Sequence, residues 1–163
     1  MTTTDTPTEI ITPPGEPVIH IRRFFKAPPE LVFRAITEPE YLRRWYGPRH
    51  LEITVCEADL RVGGTWRLVH RAPDGTEFAF HGEFLELEPP RKRVGTWSWD
   101  GAPDAVATET MLCEPVEGGT MVVSTMVHNT VEARDMHVAN GMEAGIIDSH
   151  GRLDELLVAE QAT

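Results

Sequence analysis

Ile19, Ile21 and Arg23 alternate with Val18, His20 and Arg22, a period of two that predicts a strand over residues 18–26. Pro28-Pro29 stops it and opens a helix, because the first helical turn makes no use of their missing N–H groups. Leu31, Val32, Ala35 and Ile36 then share one face at helical spacing, with Phe33 beside it. Glu38-Pro39 ends that helix and starts a second, which carries Tyr41, Leu42, Trp45 and Tyr46 and closes at Gly47-Pro48.

From residue 49 to 128 the period is two. Leu51, Ile53 and Val55 alternate with Glu52, Thr54 and Cys56, and Gly63-Gly64 interrupts the chain before Trp66, Leu68 and His70. Asp74-Gly75 is a hairpin signal. Phe78, Phe80, Gly82 and Phe84 share a face until Pro89-Pro90 ends the strand. A strand over 94–99, a turn at Asp100-Gly101, and two alternating runs (Val106, Thr108, Thr110, Leu112 and Met121, Val123, Thr125, Val127) around Gly118-Gly119 follow. Turns this short permit only antiparallel neighbours. Residues 138–160 read as one long helix with Met142, Ile146, Ser149, Leu153, Leu156 and Leu157 on one face. Gly141, Ala144 and Gly145 lie on the same side, and the glycines are poor helix formers, so they signal close packing or room.

The expected fold class is therefore α+β: a curved antiparallel sheet of about seven strands, two short helices after the first strand, and a long C-terminal helix. Sheets of this length twist and curl, and a curled sheet around one helix can enclose a hollow. The pattern does not fix which parity of each strand faces inward, since a one-residue slip inverts it.

The chain has 163 residues, which suits one domain that buries roughly 70% of its unfolded surface without a disulfide or metal staple. Residues 1–16, rich in Thr and Pro, are expected to be a disordered tail, and 17–163 the folded domain. Asp and Glu number 26 against 15 Lys and Arg, a net charge of −11 that repels phosphate backbones. The runs Arg43-Arg44 and Arg91-Lys92-Arg93 are too short to make a basic face, so no nucleic-acid partner is expected. No apolar stretch approaches the roughly 18 residues of a membrane span. The first ten residues have neither the basic nor the apolar region of a signal peptide, and a cytoplasmic home follows by default. Cys56 and Cys113, with no CxxC motif, read as buried free thiols.

Seven histidines (His20, His50, His70, His81, His128, His137 and His150) show no metal-ligand spacing, so no metal is expected, and nothing in the sequence calls for a cofactor. Gly63-Gly64 lacks the lysine of a phosphate loop and opens a strand. Ser149 and His150, as helix neighbours, point about 100° apart and make no triad. No catalytic residue can be assigned. His70 and His81 lie on consecutive strands and are expected to approach each other across the hairpin. Trp45, Tyr46, Trp66, Phe78, Phe80, Trp97 and Trp99 suit a core or an apolar pocket, and Met111, Met126 and Met142 suit a wall that adapts to varied ligands.

Several segments carry a resemblance: APPELVFRAITEPEYLRRWYGP at 27–48, ADLRVGGTWRL at 58–68, PDGTEFAFHGEFLELEPPRK at 73–92, TWSW at 96–99 and GMEAGIIDSHGRLDELL at 141–157. Together they resemble the bacterial homologues of the activator of the 90-kDa heat-shock-protein ATPase, in the START-like (SRPBCC) superfamily, over about residues 18–160. The resemblance implies the helix-grip fold. Such folds serve lipid transfer, hormone sensing, polyketide cyclisation and chaperone regulation, so function must come from the site. Many relatives carry Trp where this chain has Ile146, which implies a larger or differently shaped cavity here.

The leading expectation is a protein that binds a small hydrophobic or aromatic molecule between sheet and helix. Trp66, Leu68, Phe80, Trp97, Met126, Met142 and Ile146 would form its walls, and His70, His81 and Ser149 would orient a polar end. Two alternatives stand beside it: a cofactorless cyclase, dehydratase or isomerase of a polyketide-like substrate, and a chaperone-cofactor or protein-interaction module. A homodimer is left open, and no membrane partner is expected.

Overall fold

The computed structural model describes residues 7–162. In chain order the elements are β1 (Glu9–Ile11), β2 (Val18–Phe25), α1 (Pro29–Thr37), α2 (Pro39–Trp45), β3 (Glu52–Ala58), β4 (Thr65–Arg71), β5 (Glu77–Glu88), β6 (Lys92–Trp99), β7 (Val106–Val116), β8 (Gly119–His128), α3 (Val131–Ala139) and α4 (Met142–Gln161). The strands form one sheet in the order β1-β2-β8-β7-β6-β5-β4-β3, antiparallel throughout. This is the expected α+β helix-grip architecture, with two elements added.

The first addition corrects the disordered tail. Ile10 pairs with Ile21 and Ile11 with His20, so residues 9–11 extend the sheet as an eighth strand. Two consecutive β-branched residues suffice to seat a short strand on an open edge. Residues 1–6 of the expected tail lie outside the described residues. The second addition is α3. What reads as one helix from residue 138 is two, broken at Asn140-Gly141, where Gly141 takes φ +81°, a left-handed conformation that favours glycine. Thr130 caps α3 by accepting the Ala133 N–H at 3.0 Å, with Glu132 in the first turn. That cap is the local signal for the missed helix.

Register settles the inward parity. Ile19, Ile21 and Phe25 of β2, Val122 and Met126 of β8, and Ala107 and Cys113 of β7 are all buried, and they lie side by side across the ladder. The more regular runs on β7 and β8, which begin at Val106 and Met121, face outward, and Val106 and Val127 are exposed. On β3 a register shift between Ile53 and Val55 exchanges the faces, so that Cys56 sits buried opposite Leu68.

The packed core gathers Phe25, Val32, Phe33, Ile36, Trp45 and Val122 around Leu153, Leu156 and Leu157 of α4. Trp45 satisfies its indole N–H on the Ala35 carbonyl at 2.8 Å, which ties α2 to α1. Each fully buried apolar side chain contributes about 1.5–3 kcal/mol here.

Candidate functional site

The inner sheet face, α3, the N-terminal half of α4 and the turn after α2 line a cavity of about 890 Å³. Trp66 and Leu68 reach it from β4, Phe80 from β5, Trp97 from β6 and Met126 from β8. Met142, Ile146 and Ser149 reach it from α4, and His70 from β4. At Gly145 a side chain would meet no atom within 4 Å, so this glycine leaves room and does not serve close helix–sheet packing.

An unbroken row of ring contacts crosses the cavity wall. Tyr46 stacks on His70 at 5.9 Å, and His70 meets Phe80 edge-on at 5.9 Å. Phe80 stacks on Trp97 at 5.4 Å, and Trp97 on His137 at 4.6 Å. His137 Nδ1 lies 3.1 Å from His128 Nε2, so one imidazole donates to the other. Burial, with His128 second, lowers the His137 pKa to about 4, and burial followed by Arg134 lowers that of His128.

His81 does not join this site. His70 pairs with Phe78 and His81 with Arg67, which puts the two histidines on opposite faces of the hairpin. His81 is exposed on the outside, its Nδ1 2.8 Å from Asp100 Oδ1. His70 is buried and Nε2 donates to the Tyr46 carbonyl at 3.3 Å. Burial lowers its pKa in spite of that bond. Ser149 uses its oxygen to accept the Gly47 N–H at 2.8 Å, which leaves its own O–H to donate.

The turn at Gly47 is a joint between three elements. Arg152 of α4 donates to the Gly47 carbonyl at 2.9 Å and to the Arg44 carbonyl at 3.0 Å. Asp148 accepts the Arg49 N–H at 2.8 Å. Gly47 has φ +86°, and a Cβ there would collide with the His70 imidazole. Glycine is required on both counts.

The sequence reading missed the cavity's polar group. Arg93, Glu109 and Ser124 face inward from β6, β7 and β8. Arg93 Nη1 lies 3.4 Å from Glu109 Oε1, and Ser124 donates to Glu109 Oε2 at 2.9 Å. The guanidinium also stands 5.3 Å above the Phe84 ring. Beside them the Tyr46 phenol has its pKa raised to about 12, by burial first and by Glu109 second. In sequence, Arg93 is hidden in the short basic run Arg91-Lys92-Arg93. The available signal is Glu109, a lone carboxylate in the row Ala107, Glu109, Met111, Cys113.

Among the described residues no group of three or more His, Cys, Asp or Glu side chains is placed to hold a metal ion, and no helix is long and apolar enough to cross a membrane. The site therefore offers apolar wall area, stacked rings and one internally paired polar cluster.

The family model of the activator of Hsp90 ATPase homolog 1-like proteins matches residues 26–158, most of the chain. The chain belongs to that family. Among solved structures, a Rhodobacter sphaeroides protein is 29% identical with a TM-score of 0.87, the match covering 94% of this chain and 99% of that one. Protein NE0264 of Nitrosomonas europaea is 30% identical with a TM-score of 0.82, over 93% of this chain and all of its own 100%. The AHSA1 protein of Silicibacter pomeroyi, at 24% identity, 88% and 99% coverage and a TM-score of 0.72, shares the fold. No curated protein matches. Membership in this AHSA1 family places the chain, in general terms, among ligand-binding types of domain.

Proposed function

We propose that the protein binds a small apolar or aromatic molecule in the cavity between the sheet and α4. The observation that supports this is the cavity of about 890 Å³ walled by Trp66, Leu68, Phe80, Trp97 and Met126. Covering about 200 Å² of ligand surface would contribute roughly 5 kcal/mol before ordering costs. Flat rings can lie against the row from Tyr46 to His137, whose members are already stacked or edge-on. The inward His70 bonds a backbone carbonyl, the carboxylate-bonded His81 faces out, and the inward carboxylate of Glu109 is already engaged by Arg93 and Ser124. Binding is therefore the better-supported reading. Native mass spectrometry of gently purified protein, followed by thermal shift across an apolar and aromatic library, tests it. A co-purified small molecule or a concentration-dependent rise in Tm is expected. Neither appearing would overturn the reading.

A further inference from the structure

The cavity is mostly apolar, yet it holds a buried guanidinium and a partly buried carboxylate. Arg93 is 8% exposed. Its Nη1 is committed to Glu109 and, at 3.9 Å, to the Met111 sulfur. A guanidinium carries five N–H groups and a carboxylate accepts at about four positions, so the pair is not exhausted by these contacts. We propose that the Arg93–Glu109–Ser124 cluster is the head-group site of the cavity, and that it selects an uncharged apolar molecule bearing a hydroxyl over the corresponding carboxylic acid. This inference rests on the binding reading above and names the ligand class for the same site.

The physical case is one of charge balance. Arg93 and Glu109 cancel each other across 3.4 Å. A hydroxyl can donate to the Glu109 carboxylate and accept from the Arg93 guanidinium, so it uses both partners without adding charge. A carboxylate has no proton to donate, meets the like charge of Glu109, and finds the guanidinium of the cluster already paired. The phenol and most of the imidazoles that line the cavity do not help it. Tyr46 keeps its proton, since its pKa is raised to about 12 by burial and then Glu109. His70, His128, His137 and His150 all have lowered pKa values, with burial the first cause in each, and are neutral at pH 7. At the rim, Arg67 pairs with Asp100 at 3.1 Å and Asp148 with Arg49 at 3.3 Å, while Glu57 is exposed. Among the described residues, both arginines at that rim are thus already engaged by carboxylates.

The test uses three fluorescent probes with one ring system: pyrene, 1-hydroxypyrene and 1-pyrenecarboxylate, titrated by fluorescence anisotropy at pH 7. Pyrene reports the cavity walls alone. 1-Hydroxypyrene should bind at least about ten-fold more tightly than 1-pyrenecarboxylate, the effect of one hydrogen bond to a charged group against an uncompensated charge. In Glu109→Gln the cluster keeps its shape but carries a net positive charge. The preference, read as the ratio of the 1-hydroxypyrene and 1-pyrenecarboxylate affinities within the variant, should then collapse or invert towards the carboxylate. Equal or tighter carboxylate binding by the wild-type protein overturns the selectivity, and this comparison needs no variant, so it decides even where Glu109→Gln does not fold. A folded Glu109→Gln protein with an unaltered preference overturns the assignment to this cluster. Failure of all three probes, pyrene included, is the distinct result that removes the cavity reading and this inference with it.

Discussion

The C-terminal half of α4 presents Leu153, Leu156 and Leu157 to a filled core, and the N-terminal half presents Met142, Gly145, Ile146 and Ser149 to a cavity of about 890 Å³. Both halves are apolar on this side, so residue type does not separate them. Cover does. α1 and α2 press Val32, Phe33, Ile36 and Trp45 into one buried cluster with the C-terminal half, and only Ile36 and Trp45 of these also reach the cavity. Over the N-terminal half stand only α3 and the turn at Gly47, which brace the edges of the space without filling it. One continuous helix thus anchors the fold at one end and roofs a site at the other. Substitutions along it should report which kind of surroundings each position has.

The largest difference is expected between Leu153→Ala and Met142→Ala. Leu153 is 1% exposed inside the filled core, and its truncation should cost about 4 kcal/mol, the lost transfer energy plus the new void. Met142 already borders empty space, so its truncation enlarges an existing cavity and should cost less than about 2 kcal/mol. Urea melts of both variants give the two numbers. Equal costs would mean that the two halves are packed alike.

Acid should act next. His137 at the cavity and His150, which meets Phe25 edge-on at 5.5 Å near the junction of the two halves, both have pKa values lowered from 6.5 to about 4. Burial is the main cause, with His128 and Arg23 respectively second. Below pH 6.5 the unfolded chain binds protons that the folded chain refuses. The stability contribution is thus complete above pH 6.5 and is lost as pH falls towards 4, by on the order of 3 kcal/mol for each histidine. His137→Phe keeps a ring against Trp97 and removes one titration. Its stability should fall less steeply between pH 6.5 and 4, as read by melts at a series of pH values, and an unchanged slope would clear His137 of this role.

The same division explains what could be read in the sequence. Periodicity suffices for α1, α2 and the strands, because Leu31, Val32, Ala35 and Ile36, or Phe78, Phe80 and Phe84, each repeat at one period. Nine of the ten residues expected at the ligand site line the cavity, and the tenth, His81, faces away because antiparallel register, set by the length of the Asp74-Gly75 turn, decides its face. β1 and α3 were missed because three residues make too short a period and because the helix break rests on one glycine at φ +81°. Arg93 and Glu109 were missed for a further reason: no local pattern says that two charges on different strands will meet inside.

Gly47→Ala comes third in size. The residue joins α2, β4 and α4, and alanine would have to adopt φ +86° while its Cβ pushes the His70 ring away. The backbone strain alone costs about 1–2 kcal/mol. His70 belongs to the ring row, so the damage should extend into the cavity half, where exchange of amides near Tyr46 and His70 should accelerate more than that of Leu153 and Leu157. Uniform acceleration would show that Gly47 supports the whole fold and not this end of it.

Ile146→Trp should have the smallest effect on stability and the clearest meaning. Ile146 lies one turn after Met142 and one before Ser149, next to Gly145, and is a partly buried neighbour of the cluster Ile19, Ile21, Ala107, Met126 and Met142 at the cavity. An indole at this position can extend into open space, since the Gly145 backbone beside it has nothing within 4 Å on its side-chain side. Stability should hold or rise by up to about 1 kcal/mol, as in cavity filling. In a tightly packed core the same change forces neighbours off their rotamers and costs about 1–3 kcal/mol. Probe affinity, for example for pyrene, should fall at the same time, because the indole occupies volume the ligand would use. The two readouts together separate the cases. A stable variant with weakened binding is what an open roof predicts, a destabilised variant means that α4 is as closely covered at Ile146 as at Leu153, and a stable variant that binds as before puts the ligand elsewhere than under this part of the helix.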